Sequence, residues 1–418
     1  MNNYLTILKV GSFLAVRQIR RASKTTTALI IFVMTLTFLN LVVVSGILVG
    51  LIEGSVQAYK DHYTGEVIIS TLEEETYIEN SPAIVAYAER LPWVKYISAR
   101  YVDNGTVEAG YKTRTDQSKL PDSVSTQFTG IDPVAEDNIS GLGSLVVEGE
   151  YLSATDYDQI LLGYQLINRY LPIEAPGFST LDEARVGDKL RVEINGALRE
   201  VTVKGIIKAK VDEIGRRVFF VDSQLRNLIG RSDYNVDEIV LRLNDPNDAT
   251  RVKEALLVAG FDKYAKVQTW QDAQPKFLKD IINTFALLGN VISSIGLAVA
   301  SITIFIVIFI NAITRRKFIG ILKGIGIDGR AIEFAYVLQS LFYALFGTLL
   351  GIALVFLVLK PYFAAHPIDF PFSDGILVAT WPGVMIRAFF LFLATLIAGY
   401  IPAKLVVRQN TLDSILGR

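Results

Sequence analysis

Apolar residues are gathered into blocks near the two ends of the chain, and the middle alternates like a water-soluble domain. Three runs carry no Asp, Glu, Lys or Arg: Thr25 to Ile52, Ile281 to Thr314, and Phe334 to Leu359. A helix needs about 20 apolar residues to cross a hydrocarbon core of about 30 Å, and each run is long enough. A fourth block, between Asp374 and Lys404, is interrupted by Arg387. Counting back about 20 residues from Ala403 starts its helix near Trp381-Pro382-Gly383, with proline in the first turn. Arg387 then lies one turn inside the outer end, where its long stem is expected to snorkel to the interface. The competing reading is a buried role facing other helices.

Lysine and arginine near the span ends orient the spans. The N-terminal segment has Lys9, Arg17, Arg20, Arg21 and Lys24 and no acid. The loop after the second span has Arg315, Arg316, Lys317, Lys323 and Arg330, and the tail adds Lys404, Arg408 and Arg418. The connection between spans three and four sets only Lys360 against Asp369 and Asp374. Both termini and the middle loop are therefore expected in the cytoplasm of a multi-pass protein of the cell membrane. The first apolar run is too long for a cleaved signal peptide and lacks a small-x-small cleavage site, so it reads as an anchor.

The expected fold is four transmembrane helices with a mixed α+β extracytoplasmic domain between the first and second. The divisions are a basic interfacial helix (1–24), span one with a stalk extension (25–63), the α+β domain (64–274), and stalk plus span two (275–315). A cytoplasmic elbow (316–333), span three (334–359), a short outer loop (360–382), span four (383–403) and a tail (404–418) follow. In the domain, Leu190, Val192 and Ile194 alternate with charged residues, as do Val201 and Val203, with Asn195-Gly196 between them as a two-residue hairpin turn. Ile239, Leu241 and Leu243 mark another strand, closed by Asn244-Asp245-Pro246. Helices are predicted from Asp248 to Ala259, stopped by Gly260, and from Ser81 towards Leu91, stopped by Pro92.

Pro275 fits the first turn of a helix running unbroken to about Arg315. About 40 helical residues at 1.5 Å each reach about 60 Å, twice the hydrocarbon thickness. The first span can likewise continue past Glu53 towards Tyr63, where Gly65 stops it. Two continuous helices of this length form a stalk able to transmit movement.

Composition narrows the chemistry. Of 418 residues 51% are hydrophobic, and a formal net charge of -1 gives no basic field for nucleic acid. With no cysteine and only His62 and His366, thiolate, disulfide and cysteine- or histidine-rich metal chemistry is poorly supplied. No catalytic constellation stands out among the scattered carboxylates, and Glu73-Glu74-Glu75 reads as a solvated loop. Gly324-x-Gly326-x-x-Gly329 matches the dinucleotide pattern, yet a membrane helix precedes it where a strand is required. It is better read as a tight elbow. No G-x-x-x-x-G-K-[ST] occurs, so ATP-driven work would need a separate subunit.

Gly347-x-x-x-Gly351 permits close helix approach, as a packing face against another span or subunit, or by chance. Asn104-Gly105-Thr106 and Asn138-Ile139-Ser140 match the glycosylation acceptor weakly. In the N-terminal segment Tyr4, Leu5, Leu8, Ala15, Val16 and Ile19 share one helical face and Lys9, Arg17, Arg20 and Arg21 the other, although Val10 and Phe13 break the pattern. This suits an interfacial helix; a merely basic flank is the alternative.

Several stretches resemble FtsX-like ABC permeases, particularly the lipoprotein-releasing and MacB-type branch. Ala15-Val16-Arg17-Gln18-Ile19-Arg20-Arg21 is similar to the family's entry helix, and Arg315 through Gly326 to its cytoplasmic signature. Tyr400-Ile401-Pro402-Ala403 resembles its closing motif. Glu148-Gly149-Glu150-Tyr151-Leu152 and Val186-Gly187-Asp188-Lys189-Leu190 resemble its outer landmarks. Thr314 and Phe318 stand where the family usually has acids, and Thr411 where proline is common. The resemblance implies a dimer with a second copy or paralogue, set in membrane lipid, and two cytoplasmic P-loop ATPases that bind the ATP and Mg. This chain itself would hold no cofactor. Coupling to the ATPase is then expected at Arg315, Arg316, Lys317, Ile319, Gly320, Leu322, Lys323, Gly324 and Gly326. Export or extraction of a lipoprotein, peptide or hydrophobic cargo leads. The alternatives are a transmembrane regulator of a cell-wall hydrolase and a receptor or anchor without ATPase.

The topology has a direct check. Protease added outside intact cells should cut within residues 100 to 250; cutting there only after lysis would place that segment in the cytosol and reverse the assignment.

Overall fold

The computed structural model describes residues 2–112, 114, 120–171, 179–182, 184–370 and 373–408. Thr411 and Arg418 lie outside the described residues. The chain forms two compact units: a helical one of Met1–Glu53, Asp280–Asp369 and Asp374–Arg418, and an α/β one of Gly54–Lys279 with Phe370–Ser373.

The first elements are α1 (Asn2–Arg21) and α2 (Lys24–Tyr59), the latter extended by a π-helical turn over Lys60–Thr64. Gly65 ends it with φ +57°, a conformation that glycine adopts without a Cβ clash. Thus the first long helix continues past Glu53, as its sequence suggests.

The α/β unit then runs β1 (Val67–Ser70), α3 (Ser81–Ala88), β2 (Val94–Glu108), β3 (Ser123–Ile131), α4 (Pro133–Ser140), β4 (Val146–Gly149) and β5 (Gln159–Gly163). It continues with β6 (Lys189–Ile194), β7 (Ala197–Ile207), α5 (Asp212–Gly215), β8 (Arg217–Val221), α6 (Asp222–Leu228), β9 (Glu238–Leu243), α7 (Ala249–Val258) and β10 (Lys266–Thr269). β1 lies between β10 and β9, antiparallel to both. The long β2 links two halves of the sheet. Its start pairs with β9, Ile97 opposite Leu241, and its end pairs with β3 and β6, Val107 opposite Val124 and Val192. β3 runs parallel to β8, and β5 to β7.

Both sheet faces are covered, which explains why several strands are apolar throughout. Ile239, Leu241 and Leu243 enter one core while Val240 enters the other. Val218 and Phe220 are likewise divided from Phe219. The β6–β7 turn has Asn195 at φ +50° and Gly196 at φ +78°, the pair of left-handed residues that a two-residue hairpin needs. Gly260, at φ +81°, follows α7. α3 stops at Ala88, short of Leu91, because its last turn tightens: Arg90 N donates to Tyr87 O and Leu91 N to Ala88 O, both at 3.1 Å.

The remaining elements are α8 (Lys276–Thr314), α9 (Arg316–Gly324), α10 (Gly329–Leu354), a π-helical turn (Val355–Leu359), α11 (Lys360–Ala365), β11 (Ile368–Phe370), β12 (Ser373–Gly375) and α12 (Trp381–Val407). Among the described residues four helices are long and apolar enough to cross a membrane: Lys24–Thr64, Leu278–Thr314, Gly329–Ala365 and Trp381–Val407. Helix is the form that satisfies every backbone N–H and C=O within lipid. The third begins five residues before Phe334, so part of the expected elbow is helical. The fourth opens on a Thr380 cap and Pro382, and passes through Pro402 without ending. The connection expected as a plain loop holds the β11–β12 pair.

Small residues set the spacing of these helices. A Cβ at Gly347 would lie 2.5 Å from Met34 Cβ, and one at Gly351 would strike the Phe38 ring. Gly347-x-x-x-Gly351 therefore faces α2 of the same chain. A second such pair, Gly46-x-x-x-Gly50, receives the extended segment after β12: Val378 N donates to Gly46 O at 3.1 Å, and a Cβ on Gly50 would collide with Ile376 O. Arg387 donates to Gly383 O at 3.0 Å and to Ser45 Oγ on α2. Of the two readings of Arg387, the contact favours the role facing other helices over snorkelling: one guanidinium nitrogen ties α12 to α2, because Ser45 offers a hydroxyl within reach.

Replacing Gly50 by Leu should destabilise the detergent-solubilised full-length chain by about 1–3 kcal/mol or more, as overpacking does. An unchanged melting temperature would contradict the contact with Ile376.

Candidate coupling site

In the helical unit, α9 is a short amphipathic helix set between two long ones. Ile319 and Gly320 are buried on its inner side, with Leu322 packed against the same core. Lys323 Nζ donates to Val407 O at 2.9 Å, satisfying a carbonyl at the last residue of α12. Gly329, opening α10, also packs there: a Cβ would lie 2.9 Å from Val407 Cγ1. Gly326 has φ +91°, the left-handed turn that reverses the chain between α9 and α10. Gly324 has open space around it, so bulk there meets no steric objection; the conformational requirement falls on Gly326, and Gly320 is buried.

The outer side of α9 carries Lys317, Phe318 and Ile321, and Ile325 follows at its C-cap. The last three are 69%, 50% and 71% exposed. They lie at the helical spacing i, i+3 and i+7, a pattern present in the sequence among its charges and glycines. Arg315, which precedes α9, borders a cavity beside α1 instead, and Arg316 lies on the first turn. The expected coupling residues therefore divide into inward anchors (Ile319, Gly320, Leu322), a clamp (Lys323), turn glycines, and an outer surface of Lys317 with three apolar neighbours.

α1 has three faces rather than two. Gly11 and Ala15 are buried, a Cβ on Gly11 meeting Phe334 and Ala331 of α10. Tyr4, Leu5, Leu8 and Val16 are exposed. Val10 and Phe13, which break the simple amphipathic pattern, line the cavity with Arg315 and Phe318.

In the α/β unit, the π-helical turn after α2 ends in a buried charge cluster. Arg100 donates to both oxygens of Glu136 at 2.9 and 2.7 Å, and its Nη1 to Glu238 Oε2 at 3.2 Å. Arg217 Nη2 donates to Glu238 Oε1 at 3.1 Å. Tyr63 lies against both cations, with guanidinium carbons 5.3 and 5.1 Å from its ring centroid, and donates its hydroxyl to Glu238 Oε1 at 2.9 Å. Two cations and two carboxylates thus neutralise one another, as burial requires. Burial pushes the Glu238 carboxyl up, but the Arg217 and Arg100 charges outweigh it and hold it at about 2. Glu136 is also lowered, burial being overcome by the charge and hydrogen bonds of Arg100. The neighbouring turn is fixed as well: Tyr59 OH donates to Ala273 O at 3.0 Å, and His62 Nδ1 lies 2.8 Å from Ser140 O. Ile139 and Ser140 are buried in this arrangement, so the second glycosylation match is no open loop.

Among the described residues no group of three or more His, Cys, Asp or Glu is placed to hold a metal ion.

The cluster gives a signed prediction. Folded-state values below the ordinary carboxylate range mean stability that is present above that range and lost as pH falls through the folded value. Glu238→Gln should cost about 3–5 kcal/mol at neutral pH, and its deficit should shrink as pH falls from about 4.5 to about 2. Denaturant unfolding of the full-length protein in detergent measures both; a deficit under about 1 kcal/mol, typical of exposed pairs, would contradict the cluster.

Residues 27–259 match the MacB-like periplasmic core domain, and residues 290–411 match the FtsX-like permease C-terminal domain. An ABC transporter permease of Methanocaldococcus jannaschii is 22% identical over 281 residues, covering 65% of each chain. The lipoprotein-releasing system transmembrane protein LolC of Neisseria meningitidis serogroup B is 23% identical over 238 residues, 54% of each chain. The matched part is thus less than two thirds of either relative's length. The periplasmic region of MacB from Actinobacillus actinomycetemcomitans aligns with 49% of this chain and 88% of its own, at 14% identity and a TM-score of 0.34. Since the first domain match alone takes in more than half of the 418 residues, the chain belongs to the family of ABC transporter permeases that join a MacB-like periplasmic core domain to an FtsX-like C-terminal domain.

Proposed function

We propose that this chain is the permease subunit of an ABC-type machine in which a separate cytoplasmic P-loop ATPase drives work on a cargo outside the cell membrane. The α/β unit, lying between the first and second spans in sequence, is then extracytoplasmic, and α9 faces the cytoplasm. The charge asymmetry supports this orientation: α1 and α9 contain basic residues and no acid. The cargo class that fits best is a lipoprotein, peptide or hydrophobic molecule, in keeping with the name of the LolC relative. A second copy or a paralogue would complete the machine, and α8 leaves an apolar ridge of Leu287, Val291, Ile295, Val299, Ile302 and Ile306 open to it.

The observation that carries the proposal is the outer surface of α9. A large aromatic and an isoleucine, with Ile325 at the helix end, project from a helix that is itself clamped to α12 through Lys323 and wedged inward by Ile319. Such a knob suits insertion into an apolar groove of a partner, with Lys317 at its rim. Movement imposed on α9 would pass to α8, whose helix ends two residues earlier, and to α12 through the clamp. The long helices α2 and α8 would then carry it towards the α/β unit, where the Tyr63 cluster grips the end of α2.

Full-length protein extracted in mild detergent should retain a P-loop ATPase subunit. Phe318→Ala should weaken that association by about 2 kcal/mol, roughly thirtyfold, as loss of an aromatic anchor does. Gly326→Val should leave association intact while lowering cargo-stimulated ATP turnover. Absence of any ATPase subunit, or full binding by the Phe318 variant, would overturn the assignment of α9.

A further inference from the structure

In the helical unit a cavity of about 750 Å³ lies among α1, α9 and α10, within the range of about 300–1,000 Å³ usual for small-ligand sites. Its walls are mainly apolar, with Val10, Phe13 and Leu14 from α1 and Phe318, Ile319 and Leu322 from α9. Arg17 and Arg21 border it at i, i+4 on one face of α1, and Arg315 borders it from the residue before α9. Neither helix contains an acid, and among the described residues none of these three guanidiniums has a carboxylate partner. A second observation points to a ligand. Tyr336, on α10, lines the same cavity and is only 1% exposed, yet its hydroxyl has no hydrogen-bond partner. Buried polar groups ordinarily have one. The side-chain oxygen of Gln18, also lining the cavity, is buried and unpartnered too.

We propose that this cavity binds an anionic phospholipid, its phosphate held by Arg17, Arg21 and Arg315 and an upper acyl segment lying along the apolar walls. Three guanidiniums present forked donors that match phosphate oxygens, and the Tyr336 hydroxyl adds another donor from below. An apolar lining with cations at its border is complementary to an amphiphile with a negative head. The occupant is at hand, since the exposed face of α1 (Tyr4, Leu5, Leu8 and Val16) is that of a helix lying at the membrane interface. A lipid seated here would bridge α1 and α9, so membrane charge would bear on the position of the helix assigned to ATPase docking. That last consequence rests on the function proposed above, whereas the binding itself does not.

Native mass spectrometry of the full-length permease, purified without any ATPase, tests the site with phosphatidylglycerol and phosphatidylcholine as probes. Phosphatidylglycerol is expected to bind one per chain in preference to phosphatidylcholine. Joint replacement Arg17→Gln, Arg21→Gln and Arg315→Gln should weaken it by about a hundredfold. Tyr336→Phe, which keeps the shape of the site, should weaken it by about tenfold and guards against misfolding of the triple variant. Equal binding of the two lipids would overturn the proposal, as would wild-type affinity in the Tyr336 variant. Retention of phosphatidylglycerol by the triple variant would also overturn it. Because lipid binding is read without nucleotide or partner, it stands or falls apart from the transporter reading.

Discussion

Burying charge is tolerable only when every charge is met, and the cluster around Tyr63 meets four at once. Arg100, Arg217, Glu136 and Glu238 come from β2, β8, α4 and β9. The aromatic ring between them belongs to the turn that ends the first long helix. Removing any one member leaves a buried net charge uncompensated, so these four elements and the helix end are held to one arrangement. A merely apolar contact at this point would allow neighbouring packings of similar energy. The directional bonds here do not.

The helical unit obeys a different rule. Within lipid the apolar effect no longer drives helices together, and close approach comes from small residues. Gly347 and Gly351 admit Met34 and Phe38, Gly46 and Gly50 admit the backbone before α12, and Gly399 of α12 lies against Ser340 of α10. These contacts tie α2, α10 and α12 together with little side-chain bulk. α8 joins them less extensively and keeps much of its apolar surface outward. The long helices thus meet one another along narrow seams of small residues and keep broad apolar faces outward, as helices in lipid do.

Much of this was legible from residue order alone. Uncharged runs such as Ile281 to Thr314 could only be helices in lipid, and Asn195-Gly196 could only be a hairpin turn. The helix stop at Gly65 was equally plain, because glycine takes that φ readily. What escaped was whatever depends on contacts distant in sequence. The Tyr63 cluster joins residues 63, 100, 136, 217 and 238, and no local spacing announces it. Arg387 looked like a snorkelling side chain because Ser45 lies 342 positions away. Val10 and Phe13 looked like blemishes on an amphipathic helix until α9 supplied the wall they share. Phe318 was noticed as a departure from a family pattern, when its exposure on α9 gives it a part of its own.

In the function proposed above, the first long helix, unbroken from Lys24 to Tyr59 and gripped beyond its end at Tyr63, would carry movement to the α/β unit. The chain has no cysteine, so spin labels can be placed at will. If the proposed complex of two copies with an ATPase forms, labels at Lys95 in each copy would report a distance that changes on nucleotide binding. Gln57→Pro interrupts α2 by removing a backbone donor and clashing with the preceding turn. The account predicts that this variant still inserts and binds the ATPase but loses the nucleotide-dependent change. The same change in the variant as in the parent would contradict it.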